Sequence, residues 1–247
     1  MRGTECRLFI SDMDLSAITS EFGIETTVTE IESATLTSVV ADYAPATTSG
    51  KITVNGYFYN PGLAGDGEEK RLYNALGNPT NIVAAILDYQ NLPASAYVIE
   101  GAYNNNMVWT APADGLIAMN GAFAGTEGLK RGKLLQYKTS RTATGAGTAV
   151  RLQGILNSHI GRMLVFVHSK TGTQTSALTL KVQSSANGST GWADEATFSF
   201  AAGATPGAQG ADFSTVAGEY FNVNITSLGG LTGVTLSFIM TVNGLTT

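Results

Sequence analysis

The sequence predicts a mainly β protein: a β-sandwich or barrel with one short flanking helix, followed by a second β-sandwich region of jelly-roll or Ig-like type. Three observations predict it. Near the N-terminus two arms rich in Thr, Val and Ile, roughly Glu21–Val40 and Lys51–Asn60, alternate apolar and polar residues. Beyond residue 147, short alternating stretches recur between Gly-rich turns. Between these regions a single segment has convincing helical spacing and caps.

Cys6–Ile10 reads as a first short strand, and Asp12–Ser16 as the turn after it. The first arm places Phe22, Ile24, Thr26 and Val28 on one face, and Glu21, Gly23, Glu25, Thr27 and Thr29 on the other. After Thr29 the parity slips, because Ile31 is apolar between Glu30 and Glu32; a bulge or a change of partner is expected there. Ala34–Val40 continues as strand. Ala41–Gly50, with Pro45, Thr47, Thr48, Ser49 and Gly50, reads as an exposed loop. The second arm alternates Ile52, Val54, Gly56 and Phe58 with Thr53, Asn55, Tyr57 and Tyr59.

The helix follows Pro61-Gly62. Asp66 is its N-cap, Glu68 and Glu69 lie in the first turn, and Leu72 and Leu76 form its apolar stripe. Gly77 takes the C′ position and Pro79 prevents continuation. About three turns of helix need a sheet to dock on. Asn81–Tyr89 is apolar enough for either helix or strand. Tyr97–Tyr103, Met107–Thr110, Leu116–Phe123 and Lys133–Lys138 read as strands, with a polar loop at Gly125–Gly132.

Thr142–Gly147 is small, flexible and uncharged, and serves as a linker between a domain at 1–141 and a second at 148–247. Strands are expected at Ala149–Leu156, Met163–Ser169, Leu178–Ser184, Ala196–Phe200, Glu219–Thr226 and Val234–Val242. Asn187-Gly188 and Leu228-Gly229-Gly230 supply turns.

Composition narrows the function. Charged residues make up 13% of 247, about half the usual share, which suits a surface largely covered by neighbours. The net charge of −5 is uneven: Met1–Asp42 holds 2 basic and 8 acidic residues. Such an arm opposes ordinary nucleic-acid binding, which needs Lys and Arg to displace phosphate counterions. Cys6 is alone, so no internal disulfide or Cys-based zinc site is possible. Met1–Glu5 lacks the apolar core of a secretory signal, and the longest apolar run, Ile82–Leu87, is far short of a membrane helix.

No catalytic or metal constellation emerges, and no cofactor is implied. His159 and His168 have no G-x-S-x-G elbow beside them, so a satisfied strand histidine is the expectation. Gly128–Lys133 fails the phosphate-loop spacing and has Leu134 where Ser or Thr belongs; it reads as a basic interface loop. Asp12-Met13-Asp14 reads as a turn cap rather than a metal pair. Trp192, in the Gly188–Asp194 stretch, leaves a sugar-binding platform open, although aromatics in strands mostly pack.

The stretches "DMDLSAITSEFGIETTVTEIESATLTS" and "SGKITVNGYFYNPG", with "MVWTAPADGLIAMNGAFAGTEGLKRG" and the closing "GEYFNVNITSLGGLTGVTLSFIMTVNG", resemble the major tail (tail tube) proteins of long-tailed, non-contractile bacteriophages. The resemblance implies a non-enzymatic virion protein, assembled in the host cytoplasm. Its copies form rings whose inner sheets join into one barrel, and the rings stack into a tube through which DNA passes without specific binding. Six copies per ring are favoured, and a pseudo-hexameric trimer is open if both halves contribute to the barrel. Tape-measure protein, tail terminator and distal tail proteins are the implied partners at the ends, with no membrane. On this reading Glu21, Glu25, Glu30 and Glu32 face the lumen. Tyr43, Pro45, Thr47 and Thr48, with the basic Lys130, Arg131 and Lys133, reach a neighbouring subunit or ring. A capsid decoration or fibre protein and a carbohydrate-binding module remain the alternatives.

Overall fold

The computed structural model describes residues 5–33, 42–57, 73–74, 76–79, 81–111, 117–125, 128–154 and 161–242; for 28–33, 42–48 and 57 it describes the backbone alone. The fold is mainly β, as the alternating sequence requires. The chain divides into two compact units that interleave along the sequence. Unit 1 takes Met1–Ser16, Ala84–Val98 and Arg131–Thr247, and unit 2 takes Ala17–Val83 and Ile99–Lys130. This cut differs from the sequential one at 142–147.

Unit 1 contains two sheets. The first runs in the order β14-β11-β16-β8-β6-β5-β1-β2, where β1 is Arg7–Ile10, β2 Met13–Asp14, β5 Asn81–Leu87, β6 Ala94–Thr110, β8 Leu129–Arg141, β11 Gly161–Thr171, β14 Gly207–Phe213 and β16 Gly233–Val242. Unit 1 receives from β5, β6 and β8 the parts within its own residues. The second sheet has the order β10-β15-β12-β13, with β9 also on β15. Here β9 is Gly145–Ala146, β10 Val150–Arg151, β12 Leu178–Ser185, β13 Ala193–Phe200 and β15 Tyr220–Ser227.

Alternation explains how the two sheets pack. Leu178, Leu180 and Val182 of β12 and Phe221, Val223 and Ile225 of β15 point one way. They meet Met163, Val165 and Val167 of β11 and Val234, Leu236, Phe238 and Met240 of β16 in one buried core. Each such side chain contributes roughly 1.5–3 kcal/mol on burial. This is the sandwich expected for the C-terminal region. The remaining buried side chains of β11, Leu164 and Phe166, serve the opposite face. There Phe166 lies 5.7 Å from Phe9 of β1, although four strands separate β11 and β1 in the sheet order. The sheet therefore curls so that its two ends approach each other.

Unit 2 is a four-stranded antiparallel sheet in the order β3-β4-β7-β6, with β3 Thr19–Ser33, β4 Asp42–Tyr57 and β7 Ala118–Gly125. The expected bulge is present. The register jumps between Thr29 and Glu30, where Thr29 faces Thr47 and Glu30 faces Pro45, so the extra residue, Ala46, is on β4.

Several expectations change. The loop Ala41–Gly50 is not a loop over its described part: Asp42–Gly50 is strand, paired with Thr26–Ser33 except at the bulged Ala46. Pairing with β3 outweighs the local turn signals, and Pro45 sits beside the bulge, where a missing N–H is tolerated. Likewise Leu129–Gly132 is the start of β8 rather than part of a loop. Asn81–Leu87 is strand, and Tyr97–Tyr103 and Met107–Thr110 are one strand broken by a bulge at Asn105. The linker Thr142–Gly147 is pinned. Gly145 and Ala146 pair with Ile225 and Asn224, and Gly147 N–H donates to Val223 O at 2.9 Å. Strand β14 carries no apolar alternation that would mark it in the sequence.

Ala34–Val40, most of the Asp66–Leu76 helix, and His159 lie outside the described residues. Of that helix, Tyr73–Asn74 is helical, and Gly77 has the positive φ of 67° expected just past a helix end.

Candidate assembly surface

The two faces of the unit 2 sheet differ in kind. Residues opposite one another in an antiparallel ladder share a face. Phe22 and Ile24 on β3, Ile52 and Val54 on β4, and Phe123, Gly121 and Met119 on β7 therefore lie together with Met107 on β6. Ile52, Val54, Met119 and Phe123 are buried. The opposite face presents Glu21 and Glu25, Lys51, Thr53 and Asn55, then Asn120, Ala122 and Ala124, then Asn106 and Val108. Glu21, Glu25, Asn106 and Asn120 are exposed. Asn55 Nδ2 donates to Glu21 Oε2 at 3.4 Å, and Lys51 stands directly across from Glu25. The face is thus mostly polar and lightly acidic, with Ala122 buried at its centre and Val108 exposed beside Asn120.

Among the described residues β3 pairs only with β4, from Thr19 to Ser33 with a shift at Ser20. The pairing of β4 with β7 covers only Lys51–Tyr57. Beyond it, Thr26–Ser33 and Asp42–Gly50 continue as a two-stranded arm about 25 Å long. The arm leaves the sheet at Gly50, which is buried against Leu129. Glu30, Glu32, Tyr43, Pro45, Thr47 and Thr48 all fall on its backbone. At the opposite end of the same sheet, Val108, Trp109 and Ile117 are 45%, 43% and 39% exposed. Sequence reasoning missed this apolar end. Val108, across from Asn120, and Trp109, across from Met119, lie on opposite faces of it, and only the strand register shows that they end the sheet.

The basic residues of the 130–133 stretch have different surroundings. Lys130 is ion-paired at 3.2 Å with Glu100, which is buried on β6. Lys133 Nζ donates to Ser95 Oγ at 3.2 Å. Arg131 is exposed. Alternation along β8 sends Lys130 to one face and Arg131 and Lys133 to the other.

Asp14 is a turn cap as expected. It accepts from Ser16 N at 2.9 Å and from Ser16 Oγ, and it pairs with Lys138 at 2.7 Å. Burial alone would raise its carboxyl, but these hydrogen bonds outweigh burial and hold it below its ordinary value. His168 is satisfied on both ring nitrogens, by Asp12 O at 3.0 Å and Ser237 Oγ at 2.9 Å. Trp192 is half-buried. No group of three or more His, Cys, Asp or Glu among the described residues is placed to hold a metal.

No protein-family model matches the sequence, and no curated relative does. Among solved structures, the chain is similar to the SPP1 tail tube (TM-score 0.42, 14% identity), over 55% of this chain and 80% of that one. It is similar to a chain of a native gene transfer agent virion (TM-score 0.40, 14% identity), over 53% and 98%. It also resembles a chain of the sheath–tube complex of an extracellular contractile injection system (TM-score 0.41, 8% identity), over 53% and 90%.

Proposed function

We propose that the protein is a virion structural protein, a tail tube subunit that self-assembles into stacked rings around a channel for DNA. One observation carries this reading. Unit 2 offers a sheet with a buried apolar face, an open polar face, and a 15-residue outer strand paired on one side among the described residues. An edge of that length is a template for pairing with another chain, and closing such sheets into a barrel removes it. The polar face then becomes the barrel interior. Its Asn and Thr residues are neutral, and its exposed Glu21 and Glu25 repel phosphates at close range. No step of this function needs catalysis or a cofactor.

The arm and the apolar end give the stacking its direction. They lie at opposite ends of one sheet, so a contact between them is head-to-tail, and with a rotation that does not close it generates a filament. A two-stranded ribbon is marginal on its own in water, so the arm gains stability from a neighbouring copy. Six copies per ring is the favoured symmetry, and tape-measure, terminator and distal tail proteins meet the ends.

Negative-stain microscopy of the purified chain tests the proposal, with a variant lacking Ala46–Ser49 beside it. Hollow tubes from the parent, and folded subunits without tubes from the deletion, are expected. A parent that stays monomeric, or stops at trimers as a decoration or fibre protein would, overturns the reading.

A further inference from the structure

In unit 1, strand β16 carries a bulge on each flank at one level. On β11 the register jumps between Val167 and Ser169, leaving His168 as the extra residue. On β8 Tyr137 and Lys138 both stand against Ser237, and Lys138 takes the unusual φ of 38°. Ser237 is fully buried between them.

A chain of hydrogen bonds joins the two bulges to the N-terminal hairpin. Lys138 N–H donates to Ser237 Oγ at 2.9 Å. Ser237 Oγ is 2.9 Å from His168 Nε2, and His168 Nδ1 is 3.0 Å from Asp12 O. The directions follow from chemistry: a carbonyl only accepts, so Nδ1 carries the hydrogen, Nε2 is the free lone pair, and Ser237 O–H donates to it. Asp12 is in the turn between β1 and β2, and Asp14 on β2 is ion-paired to Lys138. Phe9 of β1 lies 4.7 Å edge-on to the His168 ring. The β1–β2 hairpin is the end of its sheet, beyond β5.

We infer that His168 and Ser237 form a proton-sensitive latch: with neutral His168 the β1–β2 hairpin is held on unit 1, and acidification releases it and uncovers the edge of β5. Protonated His168 has two donors and no lone pair. One still serves Asp12 O, but the other points at Ser237, whose own hydrogen then loses its acceptor inside a dry site. The charged groups around the ring act in both directions. Burial opposes the cation most and the hydrogen bond to Asp12 O favours it next; Lys138 on β8 opposes it, while the Asp14 and Asp12 carboxylates favour it, and Arg7 of β1 is held between Tyr89 and Tyr137. Burial is the largest effect and leaves His168 below its ordinary 6.5. The unfolded segment therefore takes the proton first. Its stabilisation is complete above 6.5 and is lost as the pH falls below it.

Amide hydrogen exchange on the full chain, corrected for intrinsic rates and compared between about pH 7.5 and about pH 5.5, reads the latch. Protection of residues 7–15 falls by up to roughly tenfold per pH unit below 6.5, while β12 and β15 keep theirs. In His168→Asn the difference between residues 7–15 and β12 no longer varies with pH. A hairpin as protected at low pH as at high, or a drop that persists in a folded His168→Asn variant, overturns the inference. If that variant does not fold, ¹⁵N shifts of His168 in the unaltered protein decide: the Nδ1–H tautomer supports the latch and the Nε2–H tautomer refutes it.

Discussion

Replacing Gly50 with alanine tests where the arm leaves the sheet. Gly50 is needed for room and not for its dihedral, since its φ is not among the positive ones. A Cβ there would lie 2.0 Å from Leu129 Cβ, 2.9 Å from Leu129 N and 3.0 Å from Leu129 Cα. Carbon atoms in contact settle at about 3.5–4.0 Å, so something must move by more than an ångström. None of the three atoms is the far end of a flexible side chain, so the movement falls on the backbone of β4 or of β8. Overpacking of this kind costs about 1–3 kcal/mol, and loosening the ladder at Thr26–Gly50 and Lys51–Ala124 adds about 1 kcal/mol for each bond lost. Gly50→Ala is therefore expected to destabilise unit 2 by about 2–4 kcal/mol, read from a denaturant titration with exchange at residues 49–57. Leu129→Ala keeps the Cβ and leaves the clash, whereas Leu129→Gly removes the nearest atom and recovers part of the loss. A Gly50→Ala protein with the parent's midpoint, or full recovery by Leu129→Ala, would refute the reasoning.

Trp109→Ser removes exposed apolar surface, so subunit stability should stay within about 0.5 kcal/mol while tubes shorten or vanish; unchanged tube length by negative stain counts against the apolar end as a contact. Asp14→Asn should flatten the acid limb of the stability curve. The folded carboxyl is held below 3.8, so its stabilisation is present above 3.8 and lost as the pH falls through the lower folded value. A thermal-melt series whose acid limb matches that of the parent would exclude this role. Glu21→Lys with Glu25→Lys should leave assembly intact but make the tube retain DNA in filter binding, with an affinity that falls as salt rises. Equal retention by parent and variant would mean that these residues do not face the channel.

The sandwich of unit 1 was legible because its strands obey period two with one buried face. Leu178, Leu180 and Val182 announce β12, and Asn187-Gly188 announces the turn after it, where Asn187 Oδ1 accepts from Ser189 N and Thr190 N, each at 2.9 Å. Of the arm, Thr26–Ser33 was legible as strand and Asp42–Gly50 was not. Pro45 and a Thr-Thr-Ser-Gly run signal a loop locally, while pairing to β3, a long-range fact, makes them strand. β14, Gly207–Phe213, is nearly side-chain-free at its start and has no pattern to read. The Lys130–Glu100 pair was hidden because its members are 30 residues apart and meet only after folding. The pairing of two bulges through Ser237 was equally out of reach, since nothing in the residues 137–138, 168 and 237 marks them as neighbours.

The most direct measurement is a cryo-EM map of the tube grown from this chain, traced through β3. The account predicts β3 edges joined to sister subunits and the Glu21 and Glu25 side chains turned toward the hollow axis. A map with those carboxylates on the outer wall, or with β3 paired to nothing beyond its own β4, would contradict it.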